Sequence, residues 1–142
     1  MKKILAIVSV ILLVLTSCQS GDILGGRYYG TFNNMTNNMR EMGSLSFKYA
    51  NKGGETYFLM NDLVGMTQTG KKKFEGAASG PLLNDLLKTI PAIDSIQVCN
   101  PEGYISAMTV SAEFMGNSVK SYLTFTTNTQ EEVNVEFIGS FE

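Results

Sequence analysis

Histidine is missing altogether, and its absence excludes more chemistry than any residue present suggests. Without imidazole there is no Ser-His or Cys-His nucleophile pair and no His ligand for a metal. Acid-base work near neutral pH most often recruits histidine, so the chain reads as a non-enzyme with no cofactor. Cysteine is nearly as scarce, with only Cys18 and Cys99. If Cys18 is otherwise engaged, no disulfide framework can be drawn, and stability must come from packing. A lone Cys99 then reads as a small buried hydrophobe. Carboxylates supply no clear glycosidase pair: Glu131 and Glu132 are adjacent and would point to opposite faces of a strand, while Asp62, Asp94 and Glu113 stand singly. The glycine-rich stretches lack the Lys-Ser/Thr of a phosphate cradle, and no Asp-rich calcium loop is present.

Positive charge is also in short supply. Loss of residues 1–17 would remove Lys2 and Lys3, leaving 9 of the 11 basic residues against 13 acidic ones, a formal charge of −4. A nucleic-acid partner is excluded on that balance, since phosphate binding needs surplus Lys and Arg. The one run of like charge, Lys71-Lys72-Lys73, reads first as a solvated loop; contact with anionic headgroups is the functional alternative. A chain of 142 residues supports one core and no second domain.

What is present begins at the amino terminus. Lys2 and Lys3 precede an apolar run over residues 4–15, followed at once by small residues, which is the layout of a secretory signal. The run is too short for the roughly 20 residues of a membrane-spanning helix. Leu15-Thr16-Ser17-Cys18 resembles the lipobox of bacterial lipoproteins. That resemblance implies a diacylglyceryl thioether on Cys18, cleavage before it and acylation of the new amino terminus, including palmitate. Residues 1–17 are then a signal peptide, 18–25 a lipidated cysteine with a short tether, and 26–142 the folded domain. Seven tether residues reach about 25 Å at roughly 3.5 Å each, which keeps the domain near the membrane. Gln19 after the lipidated position implies the outer membrane, and Asp22 alone bears on surface export, so the side of that membrane stays open.

Alternation with period two marks the last forty residues as half-buried strands. One face carries Tyr104, Ser106, Met108, Val110, Ala112 and Phe114, and later runs carry Val119, Ser121, Leu123 and Phe125, then Val133, Val135, Phe137, Gly139 and Phe141. A two-residue turn at Gly116-Asn117 sets Phe114 against Val119, Val110 against Leu123 and Met108 against Phe125. A loop at Asn128-Thr129-Gln130 sets Phe125 against Val133 and Ser121 against Phe137. Strands are also expected at 27–32, 42–49, 55–64 and 95–100, with a four-residue turn Asn51-Lys52-Gly53-Gly54 placing Phe47 opposite Phe58 and Leu45 opposite Met60. Leu82, Leu83, Leu86, Leu87 and Ile90, between Pro81 and Pro91, predict one short helix over 81–90. Residues 65–80 read as an irregular connection with one edge strand near Phe74.

Gly26-Arg27-Tyr28-Tyr29-Gly30-Thr31 resembles the Gly-x-Trp-Tyr opening of lipocalins, with Tyr28 in the tryptophan's place. With the lipobox and the closing Glu136-Phe137-Ile138-Gly139 strand, the chain is similar to the calycin-like lipoproteins of Bacteroidetes. Asp94-Ser95-Ile96 also resembles the short O-glycosylation motif of exported proteins of that group. The family resemblance implies a mostly-β fold, an antiparallel up-and-down barrel of about eight strands with one short helix, able to hold a small apolar or amphipathic ligand. Tyr28, Met108, Val110, Ala112, Ser121, Leu123, Val135 and Phe137 are the candidate lining of that interior. The last strand lacks the basic residue that lipocalins place over the first-strand tryptophan, and the helix falls mid-chain. A half-open antiparallel sheet packed on the helix is therefore the alternative fold. The alternative function is a protein-interaction or inhibitor module that engages an envelope protein through the Asn/Met-rich stretch 33–42.

Overall fold

In a computed structural model, residues 23–142 are described. The signal segment, the lipobox and Cys18 lie outside them. Eight strands follow one another as β1 (Gly26–Asn34), β2 (Arg40–Lys52), β3 (Glu55–Met60), β4 (Val64–Gly70), β5 (Lys73–Ser79), β6 (Ile105–Met115), β7 (Ser118–Thr127) and β8 (Glu132–Phe141). Each pairs antiparallel with the next, and β8 returns to pair with β1, from Tyr28 opposite Phe141 to Asn34 opposite Val135. The sheet is a closed up-and-down barrel, so the half-open alternative is set aside. Closure removes every free sheet edge, so no row of unpaired backbone groups is left to pair with another chain.

The carboxy-terminal meander has the register its alternation predicts: Phe114 pairs with Val119, Val110 with Leu123, Met108 with Phe125, Phe125 with Val133 and Ser121 with Phe137. The first hairpin differs. Gly53 and Gly54 both take positive φ, 61° and 86°, as a tight two-residue turn requires, so Lys52 pairs with Glu55 and the register moves by two. Phe47 therefore faces Met60, and Phe58 faces Tyr49. A shift of two preserves which side faces inward, so Phe47, Phe58 and Met60 remain buried.

The stretch 65–80 is not an irregular connection; it supplies most of β4 and all of β5. Its inward positions include Met66, Phe74, Gly76 and Ala78, and a Cβ on Gly76 would lie 2.9 Å from the Met66 sulfur. Glycine and alanine at inward positions hide the alternation that a Val- or Leu-rich strand would display. The expected strand over 95–100 is also absent. After helix α1 (Gly80–Lys88), Pro91 opens a second short helix, α2 (Ala92–Ser95), instead of ending the helical region. Ala92, Ile93 and Ile96 bury at helical spacing, and Gln97 takes φ of 52°, which breaks any extended run.

Strand directions alternate, so the β2–β3, β4–β5 and β6–β7 turns share one end of the barrel with the start of β1 and the end of β8. At this turn end Tyr28, Phe47, Phe58, Phe74 and Phe114 form a ring cluster, with Phe58 and Phe74 stacked at 4.1 Å and Phe47 edge-on to Phe114 at 5.2 Å. The other end is plugged by the β5–β6 connection. Pro81 suits the first turn of α1, Leu83 and Leu86 face inward, and Thr89 closes the helix by donating its hydroxyl to Leu86 O at 2.6 Å. Asn61 holds that terminus from the β3–β4 turn, donating Nδ2 to Thr89 Oγ1 at 2.8 Å. Leu83, Leu86, Ile90, Ile93, Ile96 and the barrel interior form one continuous hydrophobic core.

Candidate functional site

The eight residues expected to line an interior site all lie inside this core. Tyr28, Ser121, Leu123, Val135 and Phe137 are fully buried, and Met108, Val110 and Ala112 are at most 3% exposed. Inward parity brings them together as the alternation requires, but their neighbours include the ring cluster at one end and Phe32 against Phe137, centroids 4.5 Å apart, nearer the other. Small inward residues do not leave open space here. Ser121 donates its hydroxyl to Ser111 O at 2.7 Å, and a Cβ on Gly139 would meet the Phe137 ring at 2.6 Å. Side chains thus occupy the volume that the sequence assigns to a ligand.

Open volume is found at the helix-plugged end instead. A groove of about 810 Å³ runs between the β1–β2 loop, the segment after α2 and the β7–β8 turn. That size suits a small molecule. Val98 and Val133 contribute apolar surface, while Asn37, Gln97, Asn100, Glu131 and Glu132 contribute polar surface. Asparagine builds one wall. Asn34 is 1% exposed and donates Nδ2 to Ile96 O at 3.0 Å while its Oδ1 accepts Thr36 N at 2.9 Å. Asn37 donates Nδ2 to the same Ile96 carbonyl at 3.1 Å and accepts Met39 N through Oδ1 at 2.8 Å. The two amides therefore fasten the β1–β2 loop to the end of α2 and fix the groove's width.

The groove is acidic. Asp94, Glu131 and Glu132 line it, and no Lys or Arg does. Glu131 and Glu132, expected on opposite faces of a strand, both open onto the groove because they straddle the junction of turn and β8. Cys99 lines it too, half-buried, with Sγ 3.5 Å from Gly103 O. Burial pushes the Cys99 thiol above its ordinary range, and the Asp94 carboxylate adds to the rise. A raised thiol pKa leaves less thiolate, the reactive form, at neutral pH. Among the described residues no group of His, Cys, Asp and Glu could hold a metal ion.

Sequence reasoning missed this groove as a site, although two of its pieces carried a signal. The repeated Asn33-Asn34-Met35 and Asn37-Asn38-Met39 stand out in the sequence, and so does the Asn100-Pro101-Glu102-Gly103 turn. Neither says that the two segments meet across the barrel mouth. No protein-family model, curated protein or solved structure matches the chain.

Proposed function

We propose that this protein is an envelope lipoprotein, tethered through Cys18, whose barrel is a rigid holder for a small amphipathic ligand taken into the acidic groove at the helix-plugged end. The observation that carries this reading is position. The described chain begins at Ile23, beside the start of β1 at the turn end, whereas the groove lies at the opposite end. A tether at residues 18–25 would leave the groove directed away from the membrane.

The lining suits a ligand with an apolar part for Val98 and Val133 and a neutral or cationic polar part for Asp94, Glu131 and Glu132. A rigid rim lowers the ordering cost of binding, which is where preformed sites gain affinity. The test is native mass spectrometry of the protein isolated from its own membranes, followed by hydrogen exchange at residues 96–100 and 131–133 before and after stripping. A retained small molecule whose removal loosens those segments supports the reading. Polypeptide and lipid masses alone, with exchange unchanged after exposure to a host extract, reject it.

A second reading, an interaction module for an envelope protein, is favoured by one observation. Met35, Met42 and Tyr104 are 49%, 50% and 63% exposed at the same end of the barrel. Crosslinking from Tyr104 in cells would give one dominant protein adduct under this reading.

A further inference from the structure

We infer that the turn end of the barrel rests on an anionic membrane surface, with Lys71 and Lys72 among the headgroups and Met115 and Leu24 at the interface. This rests on the amino-terminal tether proposed above. Ile23 packs into the core, so only residues 19–22, about 14 Å at roughly 3.5 Å each, lie between Cys18 and the domain. That reach still allows different tilts, and the distribution of charge decides among them.

That distribution is polarised along the barrel axis. Lys71 and Lys72 form the β4–β5 turn and Lys73 opens β5, and among the described residues none of the three takes part in an ion pair. Of the acids near this end, Glu142 pairs with Arg27, and Glu113 lies between Lys73 and Lys120 in register. Glu55 stands opposite Lys52 in register and accepts the Tyr57 hydroxyl, and Glu75 follows on β5. Arg27, Lys52, Lys71, Lys72, Lys73 and Lys120 outnumber them. The opposite end carries Glu41, Asp94, Glu102, Glu131 and Glu132. Its basic residues are Arg40 and Lys88, and Lys88 is 4.0 Å from Asp85. An anionic bilayer would attract the first end and repel the second. Exposed apolar side chains occur at both ends, so charge sets the direction and the apolar residues beside the lysines add to the contact. Met115, beside the Gly116-Asn117 turn, is 53% exposed, and Leu24, just before β1, is 40% exposed. The segment 1–22, which carries the tether, joins the domain beside them. An amphipathic contact of this kind supplements a lipid anchor and fixes orientation.

The chain has no tryptophan, so one introduced residue reports alone. Met115→Trp and Tyr104→Trp place that reporter at the two ends of the full-length lipidated protein. Each is reconstituted in vesicles of equimolar phosphatidylglycerol and brominated phosphatidylcholine, and association is checked first by flotation. The proposal expects bromine quenching several-fold stronger at position 115 than at 104. It also expects the difference to shrink when phosphatidylglycerol is replaced by zwitterionic lipid, or when Lys71→Glu and Lys72→Glu are introduced. Leu24→Trp serves as a second reporter should the turn variant misfold. Equal quenching at both ends in a chain that floats overturns the orientation and leaves the tether intact. A chain that does not float overturns the tether and the orientation with it.

Discussion

Gly30 and Gly139 face each other across the seam where β1 meets β8, and a methyl group on Gly30 would lie 2.5 Å from the Gly139 Cα and inside contact with the Ile138 carbonyl. Gly43 continues the row on β2, opposite Gly30. The rings of Phe32 and Phe137 lie over this strip, since a Cβ on Gly43 would meet Phe32 at 2.9 Å and one on Gly139 would meet Phe137 at 2.6 Å. Three strands without side chains at one level let the sheet curl tightly enough to close, and the two aromatic rings fill the space so created.

Gly30→Ala should therefore destabilise the domain by about 1–3 kcal/mol, because the added methyl meets backbone that cannot move aside. Urea unfolding measures this. Gly65→Ala is the control: a Cβ there meets nothing within 4 Å, and its effect should stay within about 0.5 kcal/mol.

Tyr28 is fully buried, packs edge-on against Phe47, Phe114 and Phe141, and donates its hydroxyl to Leu24 O at 2.7 Å. Burial raises its phenol above the ordinary value of 10.0. A phenol with a raised folded-state pKa holds its proton more tightly in the folded state. That contribution is fully present below pH 10.0 and is lost as pH climbs through the higher folded value. Tyr28→Phe should cost about 1 kcal/mol at neutral pH through the lost hydrogen bond. It should also flatten the fall in stability in alkaline solution, which thermal melts across that range would record.

Much of the barrel is legible in the sequence where large apolar residues alternate with polar ones, as in Val110, Leu123, Val135 and their neighbours, because one face must be dry and a slip of one residue would wet it. Legibility fails where backbone chemistry replaces side chains. Gly76 and Ala78 conceal β5, and paired positive-φ glycines at 53 and 54 shorten a turn by two residues. Ile96 and Val98 alternate like a strand yet bury into the plug. The groove is hidden for a different reason: Asn34 and Gln97 are sixty-three residues apart, and only the closed barrel brings the β1–β2 loop to the end of α2.

Asn34→Ala would leave the Thr36 N–H without its partner and remove a buried tie to Ile96, at a cost of about 1–3 kcal/mol. Faster hydrogen exchange should be confined largely to the β1–β2 loop and the residues after α2. Uniform acceleration over the whole barrel would show instead that the amide supports the core.

Cys99 should react slowly with maleimide at neutral pH, since both burial and Asp94 disfavour the thiolate. Asp94→Asn should speed the reaction, and a ligand seated in the groove should slow it further. Timed labelling read by intact mass distinguishes these outcomes.

The proposed tether at Cys18 is what would give the groove its direction and the basic turn end its role. Growing cells that express the chain with an alkyne analogue of palmitate tests this most directly. A labelled protein in the membrane fraction, and loss of the label in Cys18→Ser, are expected of that tether. An unlabelled chain, or label that survives the substitution, would contradict it.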